Sequence, residues 1–259
     1  MPTPFILKSE VKKVNQTELK LQFEIVESEN NEGLPVIIVA AGNSTRMGGI
    51  NKQFLELGGM PVIVKTLLAF EKSRYINRII LVTREDDIFA LQLLAEKHSV
   101  SKLTDIVSGG NSRQESVFNG LQRLSDNDTE VLIQDGARPF VTEEIIGNVA
   151  LALKDFSAVT CGVKVKDTVK QISDDGIVEK TLDRNSLFAV QTPQGVKTAE
   201  YKKAIEEIGD LSLFTDDTSI MEAAGHKIKC VEGSYRNIKI TTPEDIAVAE
   251  SYLKNDYEE

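Results

Sequence analysis

The residues in this chain best suited to chemistry are cations and acids placed just after apolar runs. The stretch "VIIVAAGNSTRMGGINKQF", residues 36 to 54, passes from an apolar segment into Ala40, Ala41 and Gly42, then to Arg46 and Lys52. Small residues there let backbone N–H groups approach phosphate oxygens closely, and the two cations add charge. An ordinary Walker A loop is excluded, because G-x-x-x-x-G-K would need glycine at position 47 and Met47 stands there. A turn that only packs small residues against a sheet is the structural alternative.

Two further loops have the same character. Gly109-Gly110-Asn111 follows "TDIVS" and leads straight into Ser112. A glycine turn there presents a fresh helix N-terminus to an anion or a base edge, with Ser116 on the first turn and able to reach a ligand. Asp135-Gly136-Ala137-Arg138-Pro139 ends the run "EVLIQ". An acid beside a phosphate site suits Mg2+, which takes one or two carboxylates plus phosphate oxygens and water. Arg138 offers a planar fork for a second phosphate; a structural Asp–Arg pair is the competing reading.

Thr168, Arg184, Thr192, the run Thr215-Asp216-Asp217 and Lys239 in "NIKIT" are individually weak signals, but together they suit a site for two phosphorylated molecules. No serine, cysteine or histidine stands out as a nucleophile with an adjacent base. A phosphate monoester, with its second pKa near about 6, is mostly dianionic at neutral pH. It can attack another phosphoryl centre without a general base, so the protein need only align the reactants and neutralise charge.

The elements that would position these residues alternate along the chain. Strands are predicted at 36–40, 78–83, 104–108, 130–135, 158–165 and 228–233, several as continuous apolar runs. Between them, Pro61 heads the helical pattern "VIVKTLLAFEKS", and Ser112 to Glu115 has capping-box spacing ahead of a stripe of Val117, Phe118, Leu121 and Leu124. Thr142 opens "EEIIGNVALALKDF". Thr242-Pro243-Glu244-Asp245 opens a last helix with Ile246, Ala249 and Leu253 as its buried stripe. This order predicts an α/β, doubly wound, mostly parallel sheet. Residues 163–182 break the rhythm with period-two alternation around Asp175-Gly176, a hairpin turn. They read either as an arm that leaves the body to pair with another subunit or as a plain surface hairpin.

Residues 1–34 read as an N-terminal extension, with a strand-like segment "VKKVNQTELKLQFEIV" and a polar linker "ESENNEG"; the main domain is 35–259. The net charge of −10 over 259 residues argues against a general nucleic-acid binder, which needs a broad basic surface. Cys161 and Cys230 share no metal-ligand spacing and read as reduced core thiols. His98 and His226 read as structural or surface residues. The start "MPTPFILK" lacks a basic n-region and a long apolar h-region, and nothing reaches transmembrane length. The chain is expected to be cytoplasmic, with no membrane partner.

The stretches "VIIVAAGNSTRMGGINKQF", "GGNSRQESVFNGL", "QDGARPF", "VKVKDTVK", "LDRNSLFAVQTPQ", "TDDTS" and "GSYRNIKITTPEDIAVAE" occur in one order over about residues 35 to 254. Together they resemble the 2-C-methyl-D-erythritol 4-phosphate cytidylyltransferase family of the non-mevalonate isoprenoid pathway. The resemblance implies a Rossmann-like nucleotidyltransferase fold with a protruding β-hairpin arm, and CTP and a polyol phosphate as substrates with Mg2+ or another divalent cation. It places Ala40, Ala41 and Gly42 in the CTP loop, with Arg46 and Lys52 as the cations that stabilise the transition state. Gly110, Asn111 and Ser116 match positions that read the cytosine, and Asp135 matches the metal-associated acid. Arg138, Thr168, Arg184, Thr192, Thr215 and Lys239 match positions around the alcohol phosphate and the reacting centre. It also implies a homodimer in which the arm is exchanged, so that Thr168 and Arg184 serve the partner's site.

Ser44 stands where the family usually has a second glycine, and the gap from Arg46 to Lys52 is one residue shorter than its usual spacing. Arg236 sits where some relatives carry an acid. The nearest rival is a ribitol 5-phosphate cytidylyltransferase, from which "QDGARPF" and "VKVKDTVK" lead away. A non-catalytic nucleotide-binding relative is the other alternative. It would not need Arg46, Lys52, Asp135, Arg184 and Lys239 together.

Overall fold

An apolar run without polar alternation makes a stable strand when both of its faces are covered. β1 (Leu34–Val39) is such a strand: Val36 and Ile38 sit in one buried cluster, while Ile37 between them sits in another. β4 (Ile76–Thr83) divides the same way, with Ile79 and Leu81 on the first face and Ile80 and Val82 on the second. Each fully buried aliphatic side chain of this kind contributes about 1.5–3 kcal/mol. The computed structural model describes residues 33–42 and 52–256; the segment at 1–32, Ser44 and Arg46 lie outside the described residues.

Helices cover both faces. After the short hairpin β2 (Glu56–Leu57) and β3 (Met60–Pro61), α1 (Val62–Lys72) packs Ile63, Leu67 and Phe70 on the first face. It is joined there by α2 (Ile88–Lys97) and α4 (Glu143–Ala152). The second face takes α3 (Arg113–Leu121), α5 (Thr198–Ile208) and α6 (Asp217–Ala223). α7 (Pro243–Asp256) buries Ala249 with Leu57, Val62 and Ile240 in a third, smaller cluster.

The remaining strands are β5 (Leu103–Ser108), β6 (Glu130–Asp135), β7 (Ala158–Lys164), β8 (Lys170–Ile172), β9 (Val178–Thr181), β10 (Phe188–Lys197) and β11 (Ile228–Glu232). The main sheet has seven strands in the order β11-β7-β10-β6-β1-β4-β5. β1 is parallel to β4 on one side and to β6 on the other, so the strand order reverses at β1. Ligands of doubly wound sheets bind beyond the carboxyl ends of strands at such a switch point.

All six predicted strands are present, with ends within two residues of those expected, and the fold is the expected mostly parallel α/β sheet. β10 has no counterpart among the predicted strands. It runs antiparallel between β6 and β7, and its ladder is interrupted between Val190 and Gln194, where Pro193 follows a cis peptide bond. Proline has no N–H for a ladder, so a strand carrying it inside a sheet needs such a break.

That break places side chains. Gln191 donates from Nε2 to the Ser234 carbonyl (2.8 Å), and Asn237 donates from Nδ2 to the Thr192 carbonyl (3.0 Å), tying β10 to the loop that carries Lys239. Gly162 on β7 lets the chains approach: a Cβ there would lie 2.4 Å from the Ala189 carbonyl oxygen and 2.8 Å from the Phe188 ring. Backbone cannot step aside cheaply, so Gly162→Ala is expected to cost about 1–3 kcal/mol. A urea-unfolding midpoint equal to that of the parent chain would contradict the close approach.

Three local expectations change. Ser112 caps α3 by accepting from the Glu115 N–H (3.0 Å), but Glu115 reaches back to the Asn111 N–H (2.7 Å) rather than to that of Ser112. Phe118 is 41% exposed, so only Val117 and Leu121 of the predicted stripe are fully buried. Cys161 is a core thiol, its pKa pushed up to about 12 by burial, whereas Cys230 is exposed on the edge strand β11.

The expected hairpin forms, with β8 and β9 exposed along their whole length and Gly176 at φ +78° in its turn. Its strands are shorter than 163–182, because residues up to Lys164 belong to β7. At its base the Tyr235 hydroxyl donates to the Lys164 carbonyl (2.7 Å), and the Lys166 ammonium lies 3.5 Å from the Tyr235 ring centroid. Among the described residues no helix is long and apolar enough to cross a membrane.

Candidate active site

Three loops leave the carboxyl end of the sheet at one level, and backbone hydrogen bonds hold them there. The Ala40 N–H donates to the Val82 carbonyl (2.7 Å), that of Gly109 to Thr83 (2.7 Å) and that of Gly136 to Val39 (2.9 Å). Above them lies a cleft of about 550 Å³. Of the residues proposed from sequence, Ala41, Gly42, Lys52, Gly110, Asn111, Ser116, Asp135 and Lys239 all line it. Ala40 is buried at the end of β1, outside the lining.

The glycine turn is built more tightly than its sequence indicates. A Cβ at Gly109 would lie 2.3 Å from the Ala41 Cβ, so two of the loops touch through a missing side chain. The Ser116 hydroxyl accepts from the Gly110 N–H (3.1 Å) and donates to the Ser112 carbonyl (2.8 Å). Ser116 is 2% exposed, and its hydroxyl shapes the turn from beneath. Ser116 therefore both braces the turn and lines the cleft.

Asp135 is the electrostatic centre. Its Oδ2 lies 2.8 Å from Lys239 Nζ and 3.7 Å from Arg138 Nε, and its Oδ1 lies 3.4 Å from Arg113 Nε. Burial alone would push this carboxyl up, but Arg113, Lys239 and Arg138 outweigh burial and hold it well below the usual carboxylate range. Asp135 is thus ionised at any working pH. Its own N–H donates to Thr192 Oγ1 (3.0 Å), so Thr192 braces the backbone under the acid.

Arg113 is absent from the sequence-based candidates. Its Nη2 donates to Asp217 Oδ2 (2.7 Å), and Asp217, with no exposed surface, also accepts from the Tyr201 hydroxyl (2.8 Å). Burial would lower the Arg113 pKa, but the Asp217 and Asp135 carboxylates raise it above its ordinary value. An arginine one residue after a helix cap is unremarkable in sequence; only the tertiary fold, which sets the start of α3 near the start of α6 and the end of β6, brings it to two acids.

The other candidates stand apart from the cleft lining. Arg138, its side chain 11% exposed, donates to the Asn237 carbonyl (2.7 Å). Thr215 is exposed just before α6. Thr168 and Arg184 are exposed near the arm, where Arg184 donates to the Lys166 carbonyl (2.7 Å). Arg46 lies outside the described residues.

Among the described residues no group of three or more histidine, cysteine or acidic side chains could hold a metal. The donor chemistry fits a hard cation held by the single carboxylate of Asp135, with phosphate oxygens and water completing the shell, as Mg2+ accepts. It does not fit a closed structural zinc site.

The sequence profile described as 2-C-methyl-D-erythritol 4-phosphate cytidylyltransferase matches residues 34–255. The chain is 46% identical over 225 residues to the protein of that name from Clostridium novyi (strain NT), covering 85% of this chain and 96% of the relative. It is 45% identical over 220 residues to that from Bacillus mycoides (strain KBAB4), covering 84% and 96%. The crystal structure of 4-diphosphocytidyl-2C-methyl-D-erythritol synthase from Anaerococcus prevotii DSM 20548 superposes with a TM-score of 0.78 at 35% identity, over 88% of this chain and 99% of that one. With a family profile that matches residues 34–255 and relatives 45–46% identical over 96% of their own length, the chain belongs to the 2-C-methyl-D-erythritol 4-phosphate cytidylyltransferase family.

Proposed function

We propose that the chain transfers the cytidylyl group of CTP to 2-C-methyl-D-erythritol 4-phosphate, giving 4-diphosphocytidyl-2-C-methyl-D-erythritol and pyrophosphate. The observation that carries this reading is the cleft at the β1 switch point, where a cation-ringed acid faces two small-residue loops. A phosphate oxygen of the polyol phosphate attacks the α-phosphorus of CTP. The bond from that phosphorus to the bridging oxygen of the β-phosphate breaks, and pyrophosphate leaves. No base is needed, because the nucleophile is already an anion.

The protein's part is charge and position. Lys52 and Lys239 line the cleft and face the developing negative charge, and Arg46 is assigned the same task from its place in the motif. Asp135, kept ionised, would hold a divalent cation together with the triphosphate. When bound, that cation supplies charge neutralisation on the phosphate oxygens. Arg138, Thr168, Arg184, Thr192 and Thr215 are assigned to the polyol-phosphate side, Thr168 and Arg184 through an arm exchanged in a homodimer. Soluble phosphorylated substrates put the reaction in the cytoplasm.

Incubating the chain with CTP, Mg2+ and each polyol phosphate while following pyrophosphate tests the assignment. Turnover is expected with the methylerythritol phosphate. Turnover with ribitol 5-phosphate alone, or CTP binding without turnover, would replace it with the pentitol enzyme or a non-catalytic relative.

A further inference from the structure

We infer that Arg84, held flat by Asp87, is the contact for the pyrimidine end of the nucleotide; the inference rests on the reaction proposed above. Arg84 is the residue after β4, and β4 lies between β1 and β5. The Ala40 N–H bonds to the Val82 carbonyl and the Gly109 N–H to that of Thr83. Arg84 therefore emerges between the β1 loop and the glycine turn, and it lines the cleft with both.

Its guanidinium is fixed by a fork. Nε lies 2.7 Å from Asp87 Oδ2 and Nη2 lies 3.0 Å from Asp87 Oδ1. The Asp87 side chain is only 11% exposed, while that of Arg84 is 38% exposed. The result is a planar group of set orientation whose charge is locally balanced.

Charge along the cleft is uneven. Lys239, Arg113 and Arg138 gather with Asp135 and Asp217 about the end of β6, three cations against two carboxylates, on the opposite side of β1 from β4. That end attracts a polyanion, whereas a neutralised arginine–aspartate pair exerts little pull on a triphosphate. A planar, weakly hydrated guanidinium is well suited to stack on a neutral aromatic base or to donate to its ring acceptors. The nucleotide therefore lies with its phosphates over β6 and its base over β4. Arg84 adds a side-chain contact from β4 to the base side, beside Gly110, Asn111 and Ser116.

Steady-state kinetics and equilibrium dialysis of CTP on the full chain test this. Arg84→Ala is expected to raise the KM for CTP and its dialysis Kd by about tenfold, with kcat and the KM for the polyol phosphate changed by less than about twofold. Arg84→Lys, which keeps the charge but loses the fork, should recover little of that loss. An unchanged CTP affinity in Arg84→Ala, with only a lower Tm, would reduce Arg84 to a brace for its turn and overturn the inference. Full recovery in Arg84→Lys would overturn it as well, by making charge alone sufficient. If the parent chain binds CTP yet releases no pyrophosphate, the proposed reaction fails, and the dialysis comparison still decides the role of Arg84. A parent chain that does not bind CTP refutes both.

Discussion

Lys239→Ala is expected to lower kcat/KM about 30- to 1,000-fold, with Lys52→Ala falling in the same range. This corresponds to about 2–4 kcal/mol of lost transition-state stabilisation, typical for one preorganised charge at a reacting phosphoryl group. Lys239 is suited to the task because its loop is tied to β10 by Asn237, so its ammonium is placed before substrate arrives. Its Nζ stands 2.8 Å from Asp135 and is partly open to the cleft. The fold should survive, since Asp135 keeps Arg113 and Arg138 as partners. Steady-state kcat/KM values at subsaturating substrate, with far-UV circular dichroism as the control for folding, measure the effect. Near-parental rates in both variants would mean that the triphosphate lies elsewhere.

Asp217→Ala is expected to destabilise the chain by about 3–5 kcal/mol, the largest stability effect among the changes considered. Removing one member of a buried charge pair leaves the other undercompensated. Here Arg113, at the cleft wall, would keep only Asp135 at 3.4 Å after losing its 2.7 Å partner, and the buried Tyr201 hydroxyl would lose its acceptor. Tyr201→Phe removes only one hydrogen bond to a charged group and should cost less, about 1.5–3 kcal/mol. Guanidinium unfolding midpoints at neutral pH give both values. If Tyr201→Phe matched or exceeded Asp217→Ala, the Arg113–Asp217 pair would not be what chiefly stabilises this cluster. Because Arg113 also faces Asp135, the alanine variant should lose activity in proportion beyond its loss of folded protein.

The outline of the fold was legible in the sequence because its strands carry their own signal. Runs such as "VIIVA" and "RIILVT" have no solvent-facing alternation, and only a sheet covered on both faces accommodates them. β10 gave no such signal. Its proline and glycine are ordinary turn residues, and a strand with an interrupted ladder depends on neighbours far away in sequence. The stripe behind Ser112 was half right for a similar reason: periodicity identified a helix but did not set how far its buried face extends to Phe118.

By itself, the sequence determined the alternation of six strands with helices and the motifs that mark the family. It also determined that cations and an acid follow apolar runs, since those properties are local to each segment. Only the tertiary structure decided which groups meet. It made Ser116 a support for the Gly109–Gly110 turn as well as a residue of the cleft wall. It brought Arg113 to Asp135 and Asp217 across 22 and 104 positions. It set Arg84 flat against Asp87 at the wall of the cleft. The physical reason is that an ion pair depends on distance and burial, and these are fixed by the packing of α3 and α6 and the order of the sheet rather than by spacing along the chain.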